Sequence, residues 1–160
     1  FNFPPFLNAI SPELFSMLSY KMSYKYNLDF VYGREREKIV VKFLNDNYFD
    51  DPLILHKNRW NYFDFSNKDY ICELKSRRCL KETYPTTIIG YNKMKEAEEN
   101  ETEIIYRFYF LFKDSSLYSW DFKKEGYTID KGGRTDRGKI EIKDYAYIPC
   151  DDLVYVRTLN

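Results

Sequence analysis

At 160 residues the chain is long enough to bury one real core, and a second domain is not expected. Its 25 Lys and Arg balance 25 Asp and Glu, which excludes a globally basic nucleic-acid binder and leaves any phosphate affinity to local patches. A single histidine and three cysteines without CxxC spacing argue against a zinc site or a disulfide framework, and no apolar run reaches transmembrane length.

The odd thiol count, Cys72, Cys79 and Cys150, fits a reducing compartment, with Cys72 read as a buried apolar residue. Phe1-Asn2-Phe3-Pro4-Pro5 lacks the basic start of a secretory signal. A soluble, intracellular protein of cytoplasm or nucleus is expected, with no membrane partner. The chain starts at Phe1 rather than methionine, as a trimmed chain would. Its wealth of Phe, Tyr, Asn, Ile and Lys suits an AT-rich genome, including a viral or phage one.

In chain order, Ser11-Pro12-Glu13 is a good helix start, followed by Leu14, Phe15, Met17, Leu18 and Met22 at helical spacing. This predicts an N-terminal helical extension over residues 1–28. Gly33-Arg34-Glu35-Arg36-Glu37 then opens a second helical segment through Ile39, Val40, Val41, Phe43 and Leu44, ending within residues 45–51. Glu37 shares the stripe of Val40 and Leu44, whereas Glu35 lies on the other side of Ile39. Strands are predicted around residues 53–56 and 60–65, the latter entering a hairpin. Residues 86–99 read as a helix carrying Lys93 and Lys95, with acidic residues at its end. Residues 104–112 are almost continuously apolar, as in a strand buried on both faces. Residues 117–122 pair with it across Asp114-Ser115-Ser116, and residues 139–148 and 153–156 add later strands. The whole is predicted to be one domain, 1–160, with a core over 29–125 and C-terminal strands over 126–160.

The hairpin holds the chemistry. Phe63-Asp64-Phe65 and Tyr70-Ile71-Cys72 flank Ser66-Asn67-Lys68-Asp69, whose residue types favour a turn. Pairing Phe65 with Tyr70 sets Asp64 opposite Ile71 and diagonal to Glu73 at roughly 7 Å. Strand alternation sends Glu73 and Lys75 outward on the face of Asp64, and Leu74 to the other. Two carboxylates at that separation suit one Mg²⁺, with bonds of about 2.1 Å and water or phosphate oxygens in its remaining positions. Mn²⁺ would fit as well.

At Asp64 and Glu73-Leu74-Lys75 the chain resembles the PD-(D/E)XK nuclease superfamily, with Phe63 where the motif has proline. The order of predicted elements resembles that superfamily's restriction-endonuclease-like αβββαβ core, a mixed α/β fold with helices flanking a central sheet. The resemblance implies a Mg²⁺-dependent endonuclease (or a Mn²⁺-dependent one) acting on nucleic acid, DNA ahead of RNA. Asp64, Glu73, the backbone carbonyl of Leu74 and Glu37 on the preceding helix would hold the metal, and Lys75 would orient water. Glu35 is the alternative helix acid. The chain contains no glutamine, which turns the resemblance from the exonuclease branch toward small endonucleases and Holliday-junction resolvases. A homodimer would place two sites on two strands. The alternative is a nuclease-like scaffold without catalysis, serving nucleic-acid binding or structure.

Basic residues cluster near the motif as Lys68, Lys75, Arg77, Arg78 and Lys81, and again as Lys131, Arg134, Arg137, Lys139 and Lys143 around Gly132-Gly133. Arg77, Arg78 and Lys93 are candidates for backbone phosphate contacts, or else ordinary solvated charges. Trp60, Tyr62, Tyr84 and Tyr91 could stack on unpaired bases, although core packing accounts for most aromatics in so aromatic a chain.

Overall fold

A computed structural model describes residues 12–58, 61–133 and 142–159, with side chains from Leu28 onward. Ser11, Trp60, Arg134, Arg137 and Lys139 lie outside the described residues. The first element is one helix, α1 (Pro12–Asn47). The predicted break at Gly33 is absent. No proline interrupts the segment, and a single helical glycine costs only about 1 kcal/mol, less than the packing downstream returns. Asn45 ends the helix by clamping the following loop, donating to the Leu53 carbonyl (3.0 Å) and accepting from the Leu53 N–H (2.8 Å).

Two sheets follow. The larger has six strands in the order β1 (Ile54–Leu55), β2 (Phe65–Ser66), β3 (Tyr70–Ser76), β5 (Ile105–Leu111), β6 (Ser116–Asp121) and β9 (Val154–Thr158). It is mixed, since β3 and β5 run parallel while the other neighbours are antiparallel. The smaller sheet orders β4 (Thr86–Gly90), β8 (Lys143–Pro149) and β7 (Thr128–Gly132), all antiparallel. Helix α2 (Tyr91–Glu99) runs directly out of β4. The helix expected over residues 86–99 is therefore half strand. Thr86-Thr87-Ile88-Ile89 is a β-branched run, which favours a pleated surface over a helix, and Gly90 marks the change.

The segment after residue 125 divides between the sheets: β9 closes the larger one, while β7 and β8 build the smaller one with β4. Strand β5 is the middle of the fold, as its composition predicts. Tyr109 and Leu111 pack with Val40, Val41 and Leu44 of α1, and Phe108 and Phe110 face Ile89, Met94, Ala146 and Ile148. The two cores lie on opposite faces of the larger sheet, so β3, beside β5, is also covered on both sides. Among the described residues, no helix is long and apolar enough to cross a membrane.

Candidate active site

The β2–β3 hairpin sets the site. Asn67 accepts from the N–H groups of Asp69 (3.0 Å) and Tyr70 (2.9 Å), an Asx turn that leaves Lys68-Asp69 as the two-residue tip. Phe65 consequently pairs with Cys72 and Ser66 with Ile71, two residues from the expected register. Continuing that register places Asp64 directly across from Glu73 rather than diagonal to it. A slip of two preserves side-chain parity, so the shared face survives the correction and the acids come closer. Cys72 and Leu74 point into the α1 core, whereas Glu73 and Lys75 take the other face.

That face is not solvated at Glu73, which is only 3% exposed. The Glu73 carboxylate is held by two ammonium groups: Lys75 on Oε1 and Lys93 from α2 on Oε2 at 3.0 Å. Above it opens a cleft of about 650 Å³ lined by Glu37, Asp64, Lys75, Arg77, Arg78 and Lys93, among others. Of the side chains singled out in the sequence for catalysis or phosphate contact, all but the buried Glu73 line one cleft, and Glu73 is tied to it through Lys75 and Lys93. Glu37 is the helix acid that faces the cleft, paired with Arg34 at 2.6 Å. Glu35 is largely exposed and paired with Lys38.

The carboxylates are treated unequally. Burial pushes Asp64 up to about 7, and the negative charges of Glu73 and Glu37 push the same way, while Lys75 and the Leu74 N–H (2.8 Å to Oδ2) oppose them. Burial also raises Glu37, against the pull of Arg34. Burial alone would raise Glu73, but Lys75 and Lys93 outweigh it and hold its carboxyl below the usual range. Burial would lower Lys75, yet the carboxylates of Glu73 and Asp64 overcome it and keep the ammonium protonated.

The three phosphate-contact candidates sit differently. Arg77 donates from Nε to Thr87 Oγ1 (3.2 Å) and from its other end to the Ile88 carbonyl, tying β3 to β4. Arg78 pairs with Asp29 at 2.5 Å and lies over the Tyr32 ring at 5.0 Å, remaining 60% exposed at the rim. Lys93 lies in the floor, over the rings of Tyr62 (4.7 Å) and Phe63 (4.5 Å). Tyr62 donates to the Asn92 carbonyl, and Tyr91 packs against the core. His56 bridges the Phe63 carbonyl (2.8 Å) and Ser66 Oγ (2.9 Å), bracing the approach to Asp64.

Of the far wall, the sequence pointed only to Lys143, as one of a basic cluster. Ile88, Gly90, Lys143 and Tyr145 of the smaller sheet line the cleft. The alternation in Lys143-Asp144-Tyr145-Ala146-Tyr147-Ile148 was the available signal, since it sends the lysine and both tyrosines to one face.

Among the described residues, no three His, Cys, Asp or Glu side chains gather as a metal cluster, and both oxygens of Glu73 face lysines. Asp64, just before β2, and Glu73 across from it on β3 remain a pair of carboxylates of the kind a hard divalent cation takes together with water. Compared with family models, curated proteins and solved structures, the chain matches none.

Proposed function

We propose that the protein is a Mg²⁺-dependent endonuclease of PD-(D/E)XK type, hydrolysing phosphodiester bonds of nucleic acid. One observation carries the reading: Asp64, Lys75 and the α1 acid Glu37 line one cleft, with Glu73 paired to Lys75, although they come from three separate segments of the chain. The passage from α1 through β1, β2 and β3, then β4 of the smaller sheet and α2, to β5 parallel to β3 follows the order that the sequence resemblance implies except for the inserted β4. Burying Glu73 between two lysines costs desolvation that an apolar side chain would avoid, so stability alone is a poor reason for it.

Asp64 and Glu73, with the Leu74 carbonyl, would hold the ion, and Glu37 would complete its surroundings. When bound, Mg²⁺ neutralises phosphate charge and lowers the pKa of a water. Lys75, kept cationic, orients the attacking water and stabilises charge developing on the phosphoryl oxygens. Lys93 holds the Glu73 carboxylate from the opposite side and fixes its direction. Arg78 at the rim is placed for an adjoining phosphate.

The test incubates linear, supercoiled, branched and single-stranded substrates with Mg²⁺, Mn²⁺ or EDTA beside Asp64→Asn and Lys75→Ala. Metal-dependent cleavage lost in both variants is expected, and cleavage that survives them overturns the proposal. A second reading, a nucleic-acid-binding scaffold without catalysis, is favoured by the double lysine pairing that occupies Glu73. Homogeneous wild type that binds nucleic acid but never cuts it would establish that reading instead.

A further inference from the structure

The smaller sheet has two unlike faces. Thr87, Ile89, Ala146 and Ile148 are buried, three of them in the core against β5. The opposite parity brings Ile88, Gly90, Lys143, Tyr145 and Tyr147 to the other face, where Lys143 is exposed and Ile88, Tyr145 and Tyr147 are half-buried. The catalytic cleft lies along this face, and a second cavity of about 340 Å³ continues it. The two meet at Arg77 and Ile88, which line both, and the second is bordered by Tyr147 and Tyr84.

Glycines lie beside the tyrosines. Gly90 lies directly across from Tyr145 in the sheet, and the space a side chain would take there is approached by Asn92 Oδ1 and Lys143 Nζ. A Cβ on Gly132 would stand 2.5 Å from the Tyr147 hydroxyl oxygen and 3.3 Å from Tyr145 Cδ2, so a side chain there would crowd both. Tyr145 and Tyr147 remain half-buried and Tyr84 is 62% exposed. Cations accompany the rings: Lys143 Nζ lies 5.4 Å from the Tyr145 ring centre, and Arg78 stands at the cleft rim. Tyrosine rings with a lysine beside them along a cleft suit unpaired bases and their phosphates, whereas a duplex hides its base faces.

We infer that the groove running from Asp64 along the front of the smaller sheet binds single-stranded polynucleotide, with bases stacked on Tyr145 and Tyr147, so that the substrate is unpaired beside the scissile phosphate. This rests on the nuclease reading for its polarity about Asp64, but binding can be measured without cleavage. Fluorescence anisotropy in EDTA would compare single-stranded DNA and RNA 15-mers with the corresponding duplexes. The proteins would be wild type, the Tyr145→Leu/Tyr147→Leu pair and the Tyr145→Phe/Tyr147→Phe pair, each checked for folding by thermal melting.

Either single strand is expected to bind at least about tenfold more tightly than duplex. The leucine pair should lose about tenfold or more of single-strand affinity with duplex affinity unchanged, and the phenylalanine pair should retain it. Equal single-strand and duplex affinity overturns the inference, as does a leucine pair that loses nothing or a phenylalanine pair that loses as much as leucine. Single-strand binding that depends on the rings but comes with no Mg²⁺-dependent cleavage would uphold the groove and defeat the nuclease. Cleavage confined to duplex would do the reverse.

Discussion

The two sheets border one cleft but are built on opposite terms. The larger sheet is covered on both faces where it matters, and β5 buries every residue from Phe108 through Leu111. The smaller sheet buries one face and leaves the other half-buried, and its edge strand β7 is exposed along most of its length. Rigid surroundings hold Glu73, Lys75 and Asp64 in place and set their charge states, while a half-buried face with small residues can accept a ligand. Under the proposed function, chemistry would fall to the first sheet and recognition to the second.

Stability should divide in the same way. Phe108→Ala is expected to cost about 3–5 kcal/mol, the usual penalty for emptying a core aromatic site. Ile129→Ala on β7, where the side chain is 49% exposed, should cost under about 0.5 kcal/mol. Chemical denaturation of both variants checks this, and similar losses would erase the distinction between the sheets.

Activity should divide too. Lys75→Ala is expected to lower kcat by about 10²- to 10³-fold, the range for removing one donor aimed at developing charge. Tyr145→Leu should instead raise KM with kcat little changed, because stacking is made equally in ground and transition states. Single-turnover and steady-state kinetics separate the two, and a kcat defect at Tyr145 would move recognition and chemistry onto one surface.

How much of this was legible follows from the same contrast. In β3 and β5 burial is imposed by immediate neighbours, so alternation and apolar run length reveal the strands, and parity alone joins Asp64 to Glu73. The register error of two came from the Asx turn at Asn67, whose side-chain bonds shorten the loop below what residue type suggests. Strand β7, Thr128-Ile129-Asp130-Lys131-Gly132, is polar because both its faces meet water, so no periodicity betrays it. Helix α1 ran on through Gly33 because the signal for a stop was one tolerated glycine. Lys93 was visible as a cation on a helix, but its pairing with Glu73 depends on the β4–α2 junction, which the reading of residues 86–99 as one helix concealed.

The unequal carboxylates give a smaller, pH-dependent effect. Asp64 rises from its ordinary 3.8 to about 7 on folding, so the native state binds its proton more tightly than the unfolded chain does. Below about pH 4 the group is protonated in both states and costs nothing. As pH climbs toward 7 the unfolded chain ionises freely while the folded one resists, and the cost is complete above 7. Without metal, Asp64→Asn should therefore be more stable than wild type at pH 8 by about 2 kcal/mol, below the roughly 4 kcal/mol that the full span represents. The advantage should shrink toward pH 4. Denaturation midpoints in EDTA across that window test it, and an asparagine variant less stable than wild type at pH 8 would show that Asp64 is not under charge stress.

Arg77 is where the two sheets communicate, and the smallest effect is expected there. Its guanidinium is buried, which depresses its pKa, and its bonds go to Thr87 Oγ1 and the Ile88 carbonyl on β4. Arg77→Met keeps much of the stem's packing but leaves those acceptors without their donor, a loss of about 1–2 kcal/mol once water reaches the cleft side. If Arg77 mainly positions the smaller sheet, Arg77→Lys should restore part of the stability, because an ammonium can satisfy one acceptor but not both. Single-strand affinity should fall in parallel with stability across the series, since β4 carries Ile88 and Gly90 into the groove. A phosphate-contact role predicts otherwise: Arg77→Met would weaken binding with stability unchanged, and the salt dependence of binding would lose about one phosphate's share. Measuring midpoint, affinity and salt slope on the same variants decides whether this arginine joins the sheets or touches the substrate.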